Sequence, residues 1–395
     1  MTPLTAAIVG AGPAGLFTLD ALLRQAPDVQ VDVYERLPTP YGLIRSGVAP
    51  DHQGVKAVVR QFDRAFARDN VRLIADCDVG SALPLDLLRE AYDLVFLATG
   101  APRGRRLRVP GEELSGVYCA AAFMAWLNGH PDHRDLEPQV GERVVVVGGG
   151  NVALDVTRVL AKSEAEMASS DLCAHARRVT GAAQTITVVV RAPPEGARFT
   201  PTELAALGRL EAANVSVELP ATADLSVQVV AALARLPSGS PAAAARIRFR
   251  FGLQPIEVLG RGRVEQVRFR GAGGDEVVAA DTLIVAIGQE ASPPVAMERT
   301  CPVGWAGGGR GDIPRARMEA AETARRMLAG ATATPRAVAR ARLAAWLQDS
   351  GAGVLDWAAW RRIDVAECAA AVAPRPREKL VSWDALRDTA RLYET

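Results

Sequence analysis

Gly10, Gly12 and Gly15 form a G-x-G-x-x-G turn, and Glu35 follows twenty residues after the last of them. In such a turn the first glycine allows the tight bend. The second lets the backbone approach a pyrophosphate, and the third lets helix and strand pack closely. The free N–H groups at the start of the helix then face the phosphates. A carboxylate at the end of the next strand can accept hydrogen bonds from a ribose diol. A second copy reads Gly148-Gly149-Gly150-Asn151-Val152-Ala153, with small Ala153 in the third role. The strand after it ends at Arg191, not at an acid. A guanidinium there suits a 2′-phosphate, which an acid would repel. A third feature is the segment "YERLPTPYGLIRSGVAPDH", Tyr34 to His52, which is rich in Pro and Gly and delivers Asp51 and His52. Connections this long without secondary structure are usually functional or disordered, and this one lacks the polar character of a linker.

The elements that must position these residues can be read from periodicity. Thr5 to Val9 is a buried strand, "LFTLDALLRQA" a helix, and "VQVDVYE" a second strand ending in Glu35, which together make the mononucleotide-binding unit. "GVKAVVRQFDRAFARDN" is an amphipathic helix, and "VRLIADCDV" and "YDLVFLATG" are further strands. The polar, Arg-rich "PRGRRLRVPGEELSG" marks a domain crossing. "RVVVVGGGNVALDVTRVLA" then repeats strand, glycines and helix, and "TITVVVRA" is its next strand. Alternating strands such as "RIRFRFG" and "RVEQVRFRG" follow before "DTLIVAIG" closes the unit. A glycine-rich run, "GWAGGGRGDIP", precedes a long helix and a helical tail. Two nucleotide units in one chain suggest a flavoprotein, with FAD on the first and a nicotinamide nucleotide on the second.

Bulk properties narrow the classes. The 395 residues allow about two to three domains. A hydrophobic content of 49% and a charged content of 23% fit a globular chain with a real core. The net charge of +1 gives no bulk attraction to nucleic acid or membrane, so neither is expected as a partner. Cys77, Cys119, Cys173, Cys301 and Cys368 lie far apart, without C-x-x-C or zinc spacing. No redox dithiol and no metal centre is therefore expected. The start of the chain lacks the features of a signal or transit peptide, and no apolar run reaches membrane-spanning length. A cytoplasmic, monomeric protein is the expectation.

Along its whole length the sequence resembles the adrenodoxin reductase family of FAD-containing ferredoxin–NADP reductases, in its bacterial form. The resemblance rests on "YERLPTPYGLIRSGVAPDHQGVK", "RRLRVPGEELSG", "FMAWLNGHPD", "VVGGGNVALDVTRVL", "RFTPTEL", "GWAGGG-RGDI" and "WRRIDVAE…PREKLVSWDAL". It implies an α/β fold of two Rossmann-like, glutathione-reductase-like domains, with the NADP domain (106–289) inserted into the FAD domain (1–105 and 290–395). It implies hydride transfer from NADPH to FAD, then single electrons to a small acidic ferredoxin or flavodoxin, with a cytochrome P450 or another oxygenase among the conceivable final acceptors. Carried over by motif, FAD would lie against Gly10, Gly12, Ala14, Gly15, Glu35 and Leu43, with Val79 near the pyrophosphate side. Trp305, Gly311, Asp312 and Ile313 would approach the ring system. NADP would meet Gly148, Gly150, Asn151, Val152, Arg191 and Glu203. His52 and Glu203 match the catalytic pair, and Asp155 an acid near the flavin.

Three departures from the family pattern stand out. Two adjacent arginines are expected after the second unit's strand, and here the pair is Arg191-Ala192. Half the phosphate clamp is gone, which weakens NADPH preference and opens the site to NADH, with Arg198 as a candidate replacement. The chain is shortened within Leu204–Asp281 and before Trp305. The run after Trp305 reads Gly-Gly-Gly-Arg-Gly where the pattern has Gly-Pro-x-Gly. The alternative reading is a repurposed, NADH-using or non-catalytic flavoprotein of the same descent. A disulfide reductase needs the missing C-x-x-C, and a glutamate synthase-like subunit needs N-terminal cysteine clusters. A flavin monooxygenase fits the Ala-Pro-Asp-His loop poorly.

Overall fold

Every strand of the first sheet is parallel, and Thr5–Val9 and Leu94–Leu97 are buried along their whole length. The computed structural model describes residues 3–101, 103–237, 243–290, 299–308, 313–349 and 353–392. The strand order is Thr300–Pro302, Leu94–Leu97, Thr5–Val9, Gln30–Tyr34, Val71–Ile74. Ala6, Ile8, Val31, Val33 and Phe96 face one layer, which includes Leu16 and Leu19 of helix Pro13–Gln25. Helix Ile313–Ala329 packs on that same helix. Ala7, Val9, Tyr34, Val95 and Leu97 face the other, with Leu88 and Leu343. Burial on both sides is why the central strands read as apolar runs, whereas Asp32 and Arg72 interrupt the two strands beyond them and pair with each other.

The second sheet is also parallel, in the order Val117–Cys119, Thr282–Val285, Arg143–Val147, Thr185–Val190, Ala245–Phe251, Ala213–Val217. One face carries Val144, Val146, Val188 and Phe249 against Leu154, Val156 and Trp126. The other carries Val145, Val147 and Leu283 against Val258, Val267 and Phe269 of a three-stranded antiparallel sheet. "RIRFRFG" thus joins the parallel sheet while "RVEQVRFRG" belongs to the antiparallel one. The chain crosses between the two halves twice, and the crossings Arg103–Gly104 and Gln289–Glu290 pair antiparallel.

Two local expectations are corrected. The Tyr34–His52 connection contains a helical turn, Leu43–Ser46. The helix expected after it is split into Gln53–Lys56 and Val59–Phe66. The break leaves Lys56 buried between the halves, where Nζ donates to Asn128 Oδ1 (2.6 Å) and Asp171 Oδ1 (2.7 Å). Lys379 reaches the same two side chains from the C-terminal segment. Burial opposes ionisation of Asp171, but Lys379 and Lys56 outweigh it and hold its carboxyl at about 2. The same segment grips the loop through Glu367, which is buried and takes both Arg45 nitrogens at 2.9 and 2.5 Å.

Candidate active site

The first glycine turn is closed around its own backbone. Gly10 has φ +106°, and a Cβ there would lie 2.4 Å from Ala98 O. A Cβ on Gly15 would lie 2.0 Å from Gly10 O. Both are positions only glycine can fill. Gly12 caps the helix, and a Cβ there would meet only Gly42 Cα, at 3.9 Å. Glu35 lies just past its strand, buried, with Oε2 accepting from Ala11 N–H (2.8 Å) and Oε1 from Leu37 N–H (3.0 Å). Burial pushes this carboxyl above the ordinary glutamate value, against the pull of the Leu37 and Ala11 amides. Each carboxylate oxygen keeps a further lone pair for a hydroxyl donor.

The loop lies over this turn. Tyr41 and Gly42 are both left-handed, φ +83° and +47°. A tyrosine in that region costs of order 1–3 kcal/mol and persists only when its surroundings over-determine it. Here Tyr41 N–H donates to Ala11 O (2.8 Å), its hydroxyl donates to Asp63 (2.5 Å), and its ring meets Trp360 edge-on at 5.5 Å. Leu43 follows at the exposed start of the helical turn. Trp305 sits in a turn at Gly304–Gly307, where a Cβ on Gly304 would come within 2.6 Å of Ala14 Cβ. Gly10, Gly12, Ala14, Gly15, Glu35, Leu43 and Trp305 therefore share one neighbourhood. Cys77 N–H donates to Glu35 O (2.9 Å), so the segment carrying Val79 runs beside the Glu35 end of the turn. Gly311 and Asp312 lie outside the described residues, and Ile313 begins the following helix.

The second turn is open. A Cβ on Gly148 would meet Ala286 O at 2.3 Å, but one on Gly150 would meet nothing within 4 Å. Asn151 and Val152 open the helix Asn151–Ala161, and Val152 is exposed. Asn151 Oδ1 accepts from Thr200 N–H (2.9 Å), and Arg198 N–H donates to Gly149 O (2.6 Å). These bonds draw the 198–200 segment alongside the turn. The side chains of Arg191 and Arg198 are exposed and carry no hydrogen bond or ion pair among the described residues. Ala192 packs instead onto the backbone at Gly196, where an added Cβ would lie 2.8 Å from it.

His52, at the end of the loop that covers the first turn, meets the second nucleotide unit. Its Nδ1 is 3.6 Å from Asp155 Oδ1 and its Nε2 is 3.4 Å from Glu203 Oε2. Glu203 is held in the first turn of its helix by Thr200, whose Oγ1 accepts its N–H, while its carboxylate turns toward His52 and Arg158. Burial pushes the Asp155 carboxyl up, against the attraction of Arg158 and His52. Arg158 went unseen in the sequence. Its guanidinium binds Asp51 at 2.7 and 3.0 Å and Asp155 at 2.8 Å. Burial opposes ionisation of Asp51, but Arg158 and Lys162 prevail and hold its carboxyl well below the usual range. The arrangement offers a dinucleotide cradle on each side and an imidazole flanked by carboxylates between them. The residues present fit an FAD and a nicotinamide nucleotide: helix N-termini at Gly12 and Gly150, a carboxylate at the strand end of the first unit, and at the second Arg191 at the strand end with Arg198 beside Gly149 and Gly150, both without a hydrogen bond or ion pair among the described residues.

A family model described as pyridine nucleotide-disulphide oxidoreductase matches residues 4–312. A probable ferredoxin/ferredoxin–NADP reductase of Mycobacterium tuberculosis is 40% identical over 311 residues, covering 74% of this chain. The chain spans only about half of that protein, 54% of its length. Cindoxin reductase of Citrobacter braakii is 32% identical over 416 residues, covering 98% of this chain and 91% of its own. The solved structure of Mycobacterium tuberculosis FprA in complex with NADPH superposes with a TM-score of 0.90 at 30% identity, covering 98% of this chain and all of that one.

Proposed function

The chain belongs to the pyridine nucleotide-disulphide oxidoreductase family as an adrenodoxin reductase-like member, and on that footing we propose that it is an NADPH-dependent, FAD-containing reductase of a small ferredoxin or flavodoxin. The observation that carries this reading is the pair of glycine turns, with Glu35 at the strand end of one and Arg191 at that of the other, and with His52 of the first unit's loop set against Asp155 and Glu203 of the second. Bound flavin accepts two electrons as hydride from reduced nicotinamide and releases electrons singly, which side chains alone cannot do.

The chain's own residues bind and orient. Glu35 accepts from the ribose of FAD, and Gly12 admits its pyrophosphate. Gly148, Gly150, Asn151 and Val152 form the cradle for NADPH. His52 Nε2 and Glu203 Oε2, 3.4 Å apart, can hold one proton between them at the ring's edge, and Asp155 sets the local charge. The five cysteines are all free thiols, so disulfide reduction is not the proposed chemistry. In this reading residues 1–105 and 290–395 form the FAD domain and 106–289 the NADP domain. No described helix is long and apolar enough to cross a membrane, and free thiols suit a cytoplasmic enzyme, which acts in this reading as a monomer. An acidic carrier is expected, so transfer to it should slow as salt is raised.

A second reading, use of NADH, is favoured by one observation: Ala192 fills a packing role beside Gly196 and leaves Arg191 without the neighbouring arginine. Steady-state reduction of an iron–sulfur carrier with NADPH and NADH side by side separates the two. NADPH should win by about tenfold, the worth of one charge-assisted contact. Equal efficiency would favour the second reading, and a colourless protein that cannot be loaded with FAD would sink both.

A further inference from the structure

Arg158 is almost wholly buried, with 3% of its side chain exposed, yet no contact of its own with a nucleotide is needed to explain it. Its Nε and Nη2 grip both oxygens of Asp51, the residue just before His52. The same Nη2 donates to Asp155 Oδ1 at 2.8 Å, and Nη1 approaches Glu203 Oε2 at 3.4 Å. Those are the two oxygens that face the imidazole, Asp155 Oδ1 toward Nδ1 and Glu203 Oε2 toward Nε2. Guanidinium and imidazole thus share both acceptors. Asp51 comes from the loop of the first nucleotide unit, whereas Asp155, Arg158 and Glu203 come from the second.

We propose that Arg158 is the positioning residue of this site: through Asp51 it fixes the backbone that carries His52, and through Asp155 and Glu203 it fixes the oxygens between which the ring stands. It also ties the two nucleotide units together where their ligands would meet. A planar fork suits this task, because one rigid group reaches three carboxylates at fixed angles. It also supplies positive charge to an otherwise carboxylate-rich pocket. The charged groups facing Asp155 are Arg158, His52 and Glu203, with Asp51 and Lys162 behind Arg158. Without Arg158, Asp155 loses its nearest cation and keeps its burial, so it must take up a proton at higher pH than in the parent.

The inference rests on the proposed function, and its test has a readout that does not. In purified protein, with and without added FAD, and with 13C-labelled aspartate, the Asp155 carboxyl signal, assigned with Asp155→Asn, is followed against pH. Arg158→Gln should move its titration upward, while Arg158→Lys, which keeps the charge, should leave it near the parent's. Flavin reduction by NADPH should slow about a hundredfold in R158Q, the cost of a misplaced group, with nucleotide affinity held within about threefold. R158K should fall between, since it keeps charge but loses the fork. An unmoved Asp155 titration in folded R158Q overturns the proposal, as does equal slowing in R158Q and R158K with no titration shift. Should R158Q fail to fold, R158K and Asp51→Asn decide it, and parental reduction rates in both overturn it. A parent that never reduces its flavin would sink the proposed function and still leave the titration readable.

Discussion

The two glycine turns are the same motif put to opposite use. The first is roofed by its own loop: Gly42 lies against Gly12, Tyr41 is pinned in a left-handed conformation, and Glu35 is buried with two amides on it. Among the described residues the second has no roof: an added Cβ on Gly150 meets nothing within 4 Å, and the Arg191 and Arg198 side chains carry no hydrogen bond or ion pair. The difference is what a resident cofactor and an exchanging one would each need. A group that stays can be enclosed by strained, interlocked backbone; a group that comes and goes needs an open face and charges that are free to engage.

The sharpest way to break this contrast is to add one methyl group to each turn. Gly10→Ala meets both a left-handed φ and a carbonyl 2.4 Å away. It should cost about 1–3 kcal/mol from strain and a similar amount from overpacking, seen as a lowered Tm and lost flavin. Gly150→Ala should keep the parental Tm, because the added carbon meets nothing, and should weaken nucleotide binding alone. An equal fall in Tm for both would erase the distinction.

Glu35→Gln comes next. Hydrogen bonds to a charged group are worth about 1.5–3 kcal/mol, so FAD retention should weaken by about ten- to a hundredfold, read by flavin release on dilution. The pH dependence has a definite sign. Burial raises Glu35 above 4.5 in the folded chain. The folded apoprotein therefore holds a proton that the unfolded chain has released, and this group's contribution to apoprotein stability falls as pH rises from about 4.5. FAD affinity runs the other way, because ribose hydroxyls need the carboxylate as acceptor, and it declines as pH is lowered through the raised value. Flavin affinity unchanged by E35Q or by acid would remove Glu35 from the site.

The smallest effects belong to the open rim. Arg191→Ala should lower kcat/KM for NADPH about tenfold and leave NADH alone, the loss of one charge-assisted contact. Arg198 lies beside Gly149 and Gly150 rather than at the strand end, so Arg198→Ala should weaken both nucleotides alike. A loss confined to NADPH would make it instead the replacement for the missing second arginine.

These turns were legible because each is built from contiguous strand, glycines and helix, with its acid or arginine at a fixed spacing. The parallel sheets announced themselves as apolar runs for the same local reason. What escaped depends on residues far apart in the chain. Arg158 looks like any helical arginine until Asp51, 107 positions away, is folded beside it. Glu367 and Arg45 are 322 apart. The break after Lys56 goes with an inward turn of its side chain onto Asp171, which helical periodicity does not encode.

The most direct measurement is rapid mixing of the FAD-loaded chain with NADPH, followed by a ferredoxin. The account predicts that NADPH bleaches the flavin band in one transient, and that oxidised ferredoxin then restores the band as it becomes reduced. A flavin that NADPH leaves coloured, or one that bleaches but cannot reduce the carrier, would contradict it.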